Sequence, residues 1–564
     1  MTQYAWEQLA KQVSRQLLDI TEEPKAVVDS PKTEHGTLAT PIAFSLARKE
    51  RKPPAAIAQE IAKKIKPTSL IASAEALNGY INFHATDAYY ALAATQALDE
   101  KFGDNDSGKN KKFIIDYSDP NIGKPFHVGH IRSTILGAAI LALKKHSGYK
   151  TTGYTFLGDS GTQVAKLIVA LDEFKDLPKA TDERGLLEYY KKIHAAIEAQ
   201  PELAEKARKT HELLEKGDAS TVKKAEKIRA ISLAGFEKNW LSLGVSFDKV
   251  TGESAFIAPA QKIVDELVKK KIAFIDEKEK STILGLEKHG LPNTVIARSD
   301  GTTLYLTRDI AREDWAYKTW AYDESLVITA SEQNNHFRQL HKTAELLKRA
   351  YAGKLAHVGF GLVFLESGKI SSREGRVVFL DDVINAAVKG ALDEIKSREL
   401  PYTKKEAEQI ARAVGVGALK FSFLRVSAEK NITFDPAKAV SFEGDTSAHV
   451  QYTIVRCNNI MEKSGEKLKM PKDARFDDAE KRLAGTIAQY PLVIEKAQSS
   501  LQVHVLCDYA IKLSSAYSSF YESNPVLKAP TPAERSKRLC LVAATANTLT
   551  HCLTLLGIEV PEKM

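Results

Sequence analysis

The strongest constraint on this chain lies between residues 112 and 130. Lys112-Phe113-Ile114-Ile115-Asp116-Tyr117-Ser118 is a short, apolar, β-branched run bounded by polar residues, which predicts a buried strand. The following loop, 119–125, carries two prolines, a glycine and an asparagine and can extend neither a strand nor a helix. Beyond it His127-Val128-Gly129-His130 opens a segment whose Ile131, Ile135, Leu136, Ile140, Leu141 and Leu143 fall near helical spacing. Strand, tight turn and helix N-terminus in that order make an anion site, because the first turn's free N–H groups and positive dipole end face the loop. Two histidines one turn apart, with a glycine between them, suit a nucleotide. The imidazoles can donate to phosphate, and the glycine lets a flat base approach the backbone. On four residues alone a polar helix start explains the string as well; the strand before it favours a site.

The same pattern recurs downstream. Tyr149 to Leu157 reads as a strand ending in Gly158-Asp159-Ser160-Gly161-Thr162-Gln163. Residues 281–307 read as strands ending in Thr303-Leu304-Tyr305-Leu306-Thr307-Arg308-Asp309. Ser325 to Ala330 runs into Ser331-Glu332-Gln333-Asn334-Asn335-His336, and Val358 to Leu365 into Glu366-Ser367-Gly368-Lys369-Ile370-Ser371-Ser372-Arg373-Glu374-Gly375. Polar clusters at successive strand ends, joined by helices, imply a parallel, doubly wound sheet with one cleft. The expected fold is therefore α/β, with a Rossmann-like doubly wound domain over 110–385 and a helical insertion at about 175–280. A small α/β domain over 1–100 precedes it, with helices at 4–19 and after Pro53-Pro54 and a strand at 80–84. The polar stretch 99–112 marks the boundary. From about 386 to 564 the periodicity is almost wholly helical (404–426, 447–463, 477–523, 533–556), an all-α domain. The Lys-, Glu- and Ala-rich run at 178–250 reads as helices with solvated faces.

At 564 residues the chain is too long for one core. Its 43% hydrophobic and 27% charged content is that of an ordinary globular protein. No run approaches the roughly 18 apolar residues that would cross a bilayer, and the N-terminus lacks a signal-peptide core. Cys457, Cys507, Cys540 and Cys552 show no metal-ligand spacing, which favours buried thiols in a reducing compartment and a cytoplasmic location. A net charge of +8 admits a polyanionic partner without a basic arm.

With HVGH, the late Lys369-Ile370-Ser371-Ser372-Arg373 and a helical C-terminus in this order, the chain resembles the class I aminoacyl-tRNA synthetases. Ser118 to Thr134, GDSGTQ at 158–163, TLYLTRD at 303–309, ASEQNNHF at 330–337 and the closing Leu555 to Met564 resemble the arginyl-tRNA synthetases over essentially the whole length. The resemblance implies an arginine–tRNA ligase: arginine's carboxylate attacks the α-phosphorus of ATP, and the adenylate acylates the terminal ribose of tRNA(Arg). Magnesium is implied on the phosphates, with no metal held by the protein itself, and the family expectation is a monomer.

By the same resemblance His127, Gly129, His130 and Lys369, Ser371 and Ser372 hold ATP, with Gly129 beneath the adenine. Asn121, Glu253, Tyr305, Asp309 and Gln333 hold L-arginine. A guanidinium presents five donors in a fixed fork and demands carboxylate and carbonyl acceptors, which these side chains carry. The N-terminal unit is implied to touch the tRNA elbow through Asn78, Tyr80 and Asn82, and the C-terminal helices to bind the anticodon through Tyr517, Tyr521 and Met564. The sequence departs from the family pattern in two places. Ser372 stands where the KMSKS signature has its second lysine, and Glu374 where a basic residue is common; Lys124, just before the histidines, is implied to supply the missing charge. Ala448-His449 stands where the family has Pro-Tyr. Other readings are a cysteinyl enzyme, disfavoured by the lack of a Cys/His zinc set, a small-molecule adenylating ligase, and a catalytically silent relative that only binds RNA.

Overall fold

A computed structural model of the chain describes residues 3–24, 27–29, 35–365, 368–369, 378–399, 401–434 and 444–564. The first unit holds α1 (Ala5–Thr21), β1 (Leu38–Thr40), α2 (Ile42–Glu50), α3 (Pro54–Lys64), β2 (Ile71–Leu77), β3 (Tyr80–Ala85) and α4 (Asp87–Gln96). Leu9, Val13 and Leu17 form the buried stripe of α1, and its three strands make an antiparallel sheet in the order β1-β3-β2.

After a turn-rich stretch come β4 (Lys112–Asp116), α5 (Val128–His146), β5 (Lys150–Leu157) and α6 (Thr162–Glu173). Helices α7 (Glu183–Ala199), α8 (Pro201–Glu215) and α9 (Ala219–Ser242) follow, then β6 (Lys249–Gly252) and α10 (Ile257–Lys269). A small antiparallel sheet of β7 (Ala273–Ile275), β8 (Thr282–Leu284) and β9 (Thr294–Ala297) leads to α11 (Tyr305–Trp320), β10 (Glu324–Ala330), α12 (Asn334–Leu346) and β11 (Leu355–Phe360).

β4, β5, β6, β10 and β11 form one parallel sheet in the order β11-β10-β4-β5-β6. The chain fills it outward from β4 to β6, then returns to the other side of β4 for β10 and β11. The reversal lies between β4 and β10, and the crevice outside the carboxyl ends there is where such sheets take ligands. Phe113 to Asp116 are all buried, as expected of a central strand covered on both faces.

The chain leaves β4 through two residues in the left-handed region, Ser118 (φ 82°) and Asp119 (φ 41°), conformations costly for side chains with a Cβ. Hydrogen bonds hold them. Ser118 N donates to Ser133 Oγ at 2.9 Å, Trp240 Nε1 to Ser118 Oγ at 3.0 Å, and Phe156 N to Asp119 Oδ1 at 2.9 Å. The exit from β4 is thus tied to α5, α9 and β5 together.

Beyond β11 come β12 (Val363–Leu365), β13 (Gly368–Lys369), α13 (Leu380–Ser397), α14 (Lys404–Leu424) and β14 (Ile432–Phe434). β12 pairs antiparallel with β13 and parallel with β14. The C-terminal part packs the helices Ser447–Ser464, Asp478–Ala488, Tyr490–Ser500, His504–Ser523 and Pro532–Leu555, and all four cysteines lie buried and unpaired within it.

Five expectations are corrected. Tyr305 to Asp309 does not end a strand: it opens α11, because Leu306 and Ile310 bury one helical face. The helical insertion does not run to 280, since β6 at Lys249–Gly252 already belongs to the central sheet. The run 358–365 is two strands in different sheets, β11 and β12, broken at Gly361, where a Cβ would lie 2.5 Å from the Lys430 backbone. The almost wholly helical stretch starts later than 386 as a separate unit, because β14 within it crosses back to pair with β12. The helix expected over 477–523 is three, with Pro491 in the first turn of the second.

Arg132, on α5 and nearly inaccessible, joins these parts: its guanidinium donates to the carbonyls of Gly361 (2.7 Å), Lys430 (2.5 Å) and Ser427 (2.8 Å). Arg132→Met keeps the stem but leaves those carbonyls without their donor. It is expected to lower the unfolding free energy by about 3 kcal/mol, read as a shift in urea midpoint.

Candidate active site

The helix α5 begins with its own histidines as caps. His127 is the N-cap, and its Nδ1 accepts from Gly129 N at 3.1 Å; His130 Nδ1 accepts from His127 N at 3.2 Å. This is a capping box built from imidazoles, and it explains the two-residue gap between them. A backbone N–H can only donate, so both Nδ1 atoms are unprotonated and each neutral ring carries its proton on Nε2. The rings stack at 4.0 Å. Burial, then the charge of Lys124, lowers His127 to about 4, and burial, His127 and Lys124 hold His130 well below the usual imidazole range. At neutral pH the helix start therefore presents two Nε2–H donors and no formal imidazolium charge. A Cβ on Gly129 would meet the His127 ring at 2.8 Å, so the missing side chain makes room for that imidazole.

Lys124 is half-buried, its ammonium 5.8 Å from the centre of the Tyr190 ring on α7. Asn121 is exposed, bridged to Gly158 at the end of β5; a Cβ at Gly158 would lie 2.1 Å from Asn121 Oδ1, so the glycine leaves the Asn121 side chain its present position. The late loop leaves from β13 and its far end returns beside the histidines. Lys369 pairs through its backbone with Phe364 in β12, and on the far side His127 bridges Phe379 while Val128 N donates to Val378 O. Ser371, Ser372 and Glu374 lie outside the described residues, as does the side chain of Lys369.

The second half of the crevice is crowded with carboxylates. Asp309, on the first turns of α11, accepts from His336 at 2.5 Å and lies 3.3 Å from the Arg312 guanidinium. Burial works to raise its pKa, but Arg312 and the His336 hydrogen bond outweigh it and hold the carboxyl below its usual range. Arg312 also reaches Asp116 at 2.7 Å and Glu313 at 3.2 Å. Glu253, just past β6, has one cation near it, Arg308 at 3.7 Å, and no hydrogen-bond donor on its carboxylate among the described residues. Burial first, then Asp309, Asp159 and Glu215 against the pull of Arg308, pushes Glu253 up to about 8. Tyr305 is 66% exposed at the mouth, and Gln333 is exposed where β10 gives way to α12. The structure thus brings Asn121, Glu253, Asp309, Tyr305 and Gln333 to the carboxyl-end side of one sheet.

The RNA-facing expectations divide. Asn78 (φ 49°) turns the β2–β3 hairpin, and Tyr80 is 46% exposed with Phe44 edge-on at 5.2 Å. Tyr521 is half-buried under the Arg456 guanidinium, 3.9 Å from its ring centre, and Met564 packs against α13 and α14. Asn82 and Tyr517 are corrected: at 4% and 2% exposure both are enclosed by packing and offer no surface to RNA. Reading the sequence missed Arg308 within the TLYLTRD stretch, Arg312 three residues beyond it, His336, and Glu215 of α8, which sits in a run taken as solvated surface. The signal was present for Arg308, one residue before Asp309.

Three family models match in succession: "Arginyl tRNA synthetase N terminal domain" over residues 7–85, "tRNA synthetases class I (R), catalytic domain" over 93–435, and "DALR anticodon binding domain" over 450–564. The chain belongs to the arginyl-tRNA synthetase family. The arginine–tRNA ligase of Clostridioides difficile is 36% identical over 96% of both chains, and that of Halothermothrix orenii 35% identical over 99% of both. The solved Thermus thermophilus arginyl-tRNA synthetase superposes with a TM-score of 0.82 at 25% identity, covering 99% of each chain. The family and fold drawn from HVGH and its companion stretches are borne out.

In this family member the Glu253 carboxyl gives a direct test. A substrate guanidinium that met this carboxyl would prefer the ionised form, so below pH 8 binding there would first remove the proton that burial favours. Affinity for arginine should therefore rise with pH and level off above about 8. Calorimetry in buffers of different ionisation enthalpy should detect release of about one proton per arginine at pH 7. No proton release would mean that Glu253 is already ionised or is not contacted.

Proposed function

We propose that this chain ligates L-arginine to the 3′ end of tRNA(Arg) through an arginyl-adenylate formed from ATP. The observation that carries the reading is the pairing of two sites at one switch point. One is a helix start offering two Nε2–H donors; the other is a pocket with a carboxylate, Glu253, that lacks a donor, next to Asp309. A triphosphate and a guanidinium complement them. A site whose own acceptors are left unpaired by any other side chain discriminates strongly against apolar amino acids.

In the first step the arginine carboxylate oxygen attacks the α-phosphorus of ATP, the α–β bridging bond breaks, and pyrophosphate leaves. Such chemistry is helped by positioning and charge neutralisation rather than by covalent participation. His127 and His130 donate to phosphate oxygens, Lys124 supplies positive charge beside them, and Lys369, Ser371 and Ser372 close on the pyrophosphate, with Gly129 beneath the adenine. Asn121 holds the amino acid's backbone groups while Glu253, Asp309 and Gln333 accept from its guanidinium and Tyr305 covers it. In the second step a ribose hydroxyl of the tRNA terminus attacks the arginyl carbonyl and AMP departs. Magnesium accompanies the triphosphate and neutralises its phosphate oxygens. Asn78 and Tyr80 lie on the tRNA-elbow side and Tyr521 on the anticodon side. The protein works in a reducing compartment, the cytoplasm, in keeping with four buried free cysteines, and as a monomer by likeness to its family.

ATP–pyrophosphate exchange tests the reading. Exchange should depend on arginine, in the presence of tRNA(Arg), and on no other amino acid. Exchange driven by a different amino acid, or none at all, would overturn it. Lys124→Ala should reduce turnover by about 100-fold, the scale of a lost charge-stabilising contact, while leaving tRNA binding within about twofold. Unchanged turnover would remove Lys124 from the phosphate site.

A further inference from the structure

The pocket that would take a substrate guanidinium already contains one. Arg308 is buried, on the first turn of α11, and its Nη1 lies 3.7 Å from Glu253 Oε2. That separation is too long for a hydrogen bond and short enough that a rotation of the side chain would make one. What prevents it is the saturation of every other edge of the fork. Nε donates to Thr303 Oγ1 (3.3 Å), Nη1 to Ser160 Oγ (3.0 Å), and Nη2 to Thr303 O (3.0 Å) and to both Glu215 oxygens (3.0 and 2.9 Å).

Glu215 is an odd residue for its place. It is the last residue of α8, where the helix dipole disfavours a carboxylate, and its side chain is only 11% exposed. On both counts it costs stability unless a cation answers it, and Arg308 does, with His211 Nε2 3.5 Å away. Burial works to raise the Glu215 pKa, and His211 and Arg308 outweigh it and keep it low.

We propose that Glu215 is a positioning residue for amino-acid specificity: it holds the chain's own guanidinium on α8 and so keeps Glu253 open for the guanidinium of the substrate. The proposal rests on the arginine reading above. Without the Glu215 charge, Arg308 turns its free edge to Glu253, the nearest remaining carboxylate, and competes from inside the protein at an effective concentration no substrate can match. The loss then falls on arginine binding and not on the phosphate chemistry, which lies at the other side of the switch point.

The test is steady-state ATP–pyrophosphate exchange with arginine and ATP varied separately. Glu215→Gln should raise KM for arginine by about tenfold or more while kcat and KM for ATP stay within about twofold, the signature of lost ground-state and transition-state binding alike. Adding Arg308→Met removes the competitor, and KM for arginine should return to within about threefold of the parent, measured at pH 8.5 so that Glu253 is ionised. Glu215→Asp, which keeps the charge at shorter reach, should give a smaller rise of about threefold. An unmoved KM for arginine in both single variants, or a double variant as impaired as Glu215→Gln, would overturn the proposal in favour of a merely structural pair. A parent enzyme whose exchange does not depend on arginine would instead defeat the functional reading itself.

Discussion

Charge balance at the sheet's switch point is the constraint on which the rest of the site depends. Asp116, Glu215, Glu253, Asp309 and Glu313 crowd around two inner guanidiniums, Arg308 and Arg312. Burying that many carboxyls without cations costs several kcal/mol each, or drives them neutral. The protein answers unevenly. Arg312 takes Asp116, Asp309 and Glu313 together. Asp309 is held low, while burial and Asp119 press Asp116 upward against it. Arg308 is spent on Glu215. Glu253 is left with no hydrogen-bonded cation and drifts up to about 8. In the proposed function this shortfall of positive charge is what recognises the substrate, since a ligand bringing a guanidinium would complete the balance that folding left open.

The other half of the crevice uses no net charge on its aromatic groups. The histidines of HVGH spend their Nδ1 atoms on capping the helix, which leaves the proton of each neutral ring on Nε2 as a donor. Pre-orientation of neutral donors at a helix N-terminus adds to the dipole there without the desolvation that a buried imidazolium would incur. The strained exit through Ser118 and Asp119 serves the same end. A strand that turned more gently would carry the loop away from the neighbouring β5, and the Phe156 and Thr155 contacts to Asp119 would be lost.

How much of this the sequence made legible follows from its periods. The 112–130 unit was readable because a short β-branched apolar run, a proline-rich turn and helical spacing each give a distinct signal. TLYLTRD misled because Thr-Leu-Tyr-Leu-Thr alternates like a strand; tertiary burial of Leu306 and Ile310 on one helical face overrode that pattern. β6 was hidden by its four-residue length, and β11 and β12 read as one strand because the break between them is set by a distant backbone, that of Lys430. Site residues carried by a motif, such as Asp309, were found. Those set by partner geometry, such as Glu215 and Arg132, carry no local mark, since a glutamate at a helix end in a Lys/Glu-rich run looks like any solvated residue.

That last failure changes how the insertion should be understood. Composition marks α7, α8 and α9 as a charged exterior, yet each sends a side chain into the loop or pocket that the motifs define. From α7, Glu183 Oε2 accepts from Phe126 N at 3.4 Å, and the Tyr190 ring lies under Lys124. Glu215 of α8 holds Arg308. From α9, Ser232 Oγ accepts from Gly123 N at 2.9 Å and Trp240 holds Ser118. The residues reached, Ser118, Gly123, Lys124 and Phe126, are consecutive landmarks of the loop between β4 and α5. A loop with three left-handed residues and two prolines cannot set its own course from local hydrogen bonds. The three helices supply the missing partners, so the insertion is the wall that gives the loop its shape, and the two substrate sites share that wall.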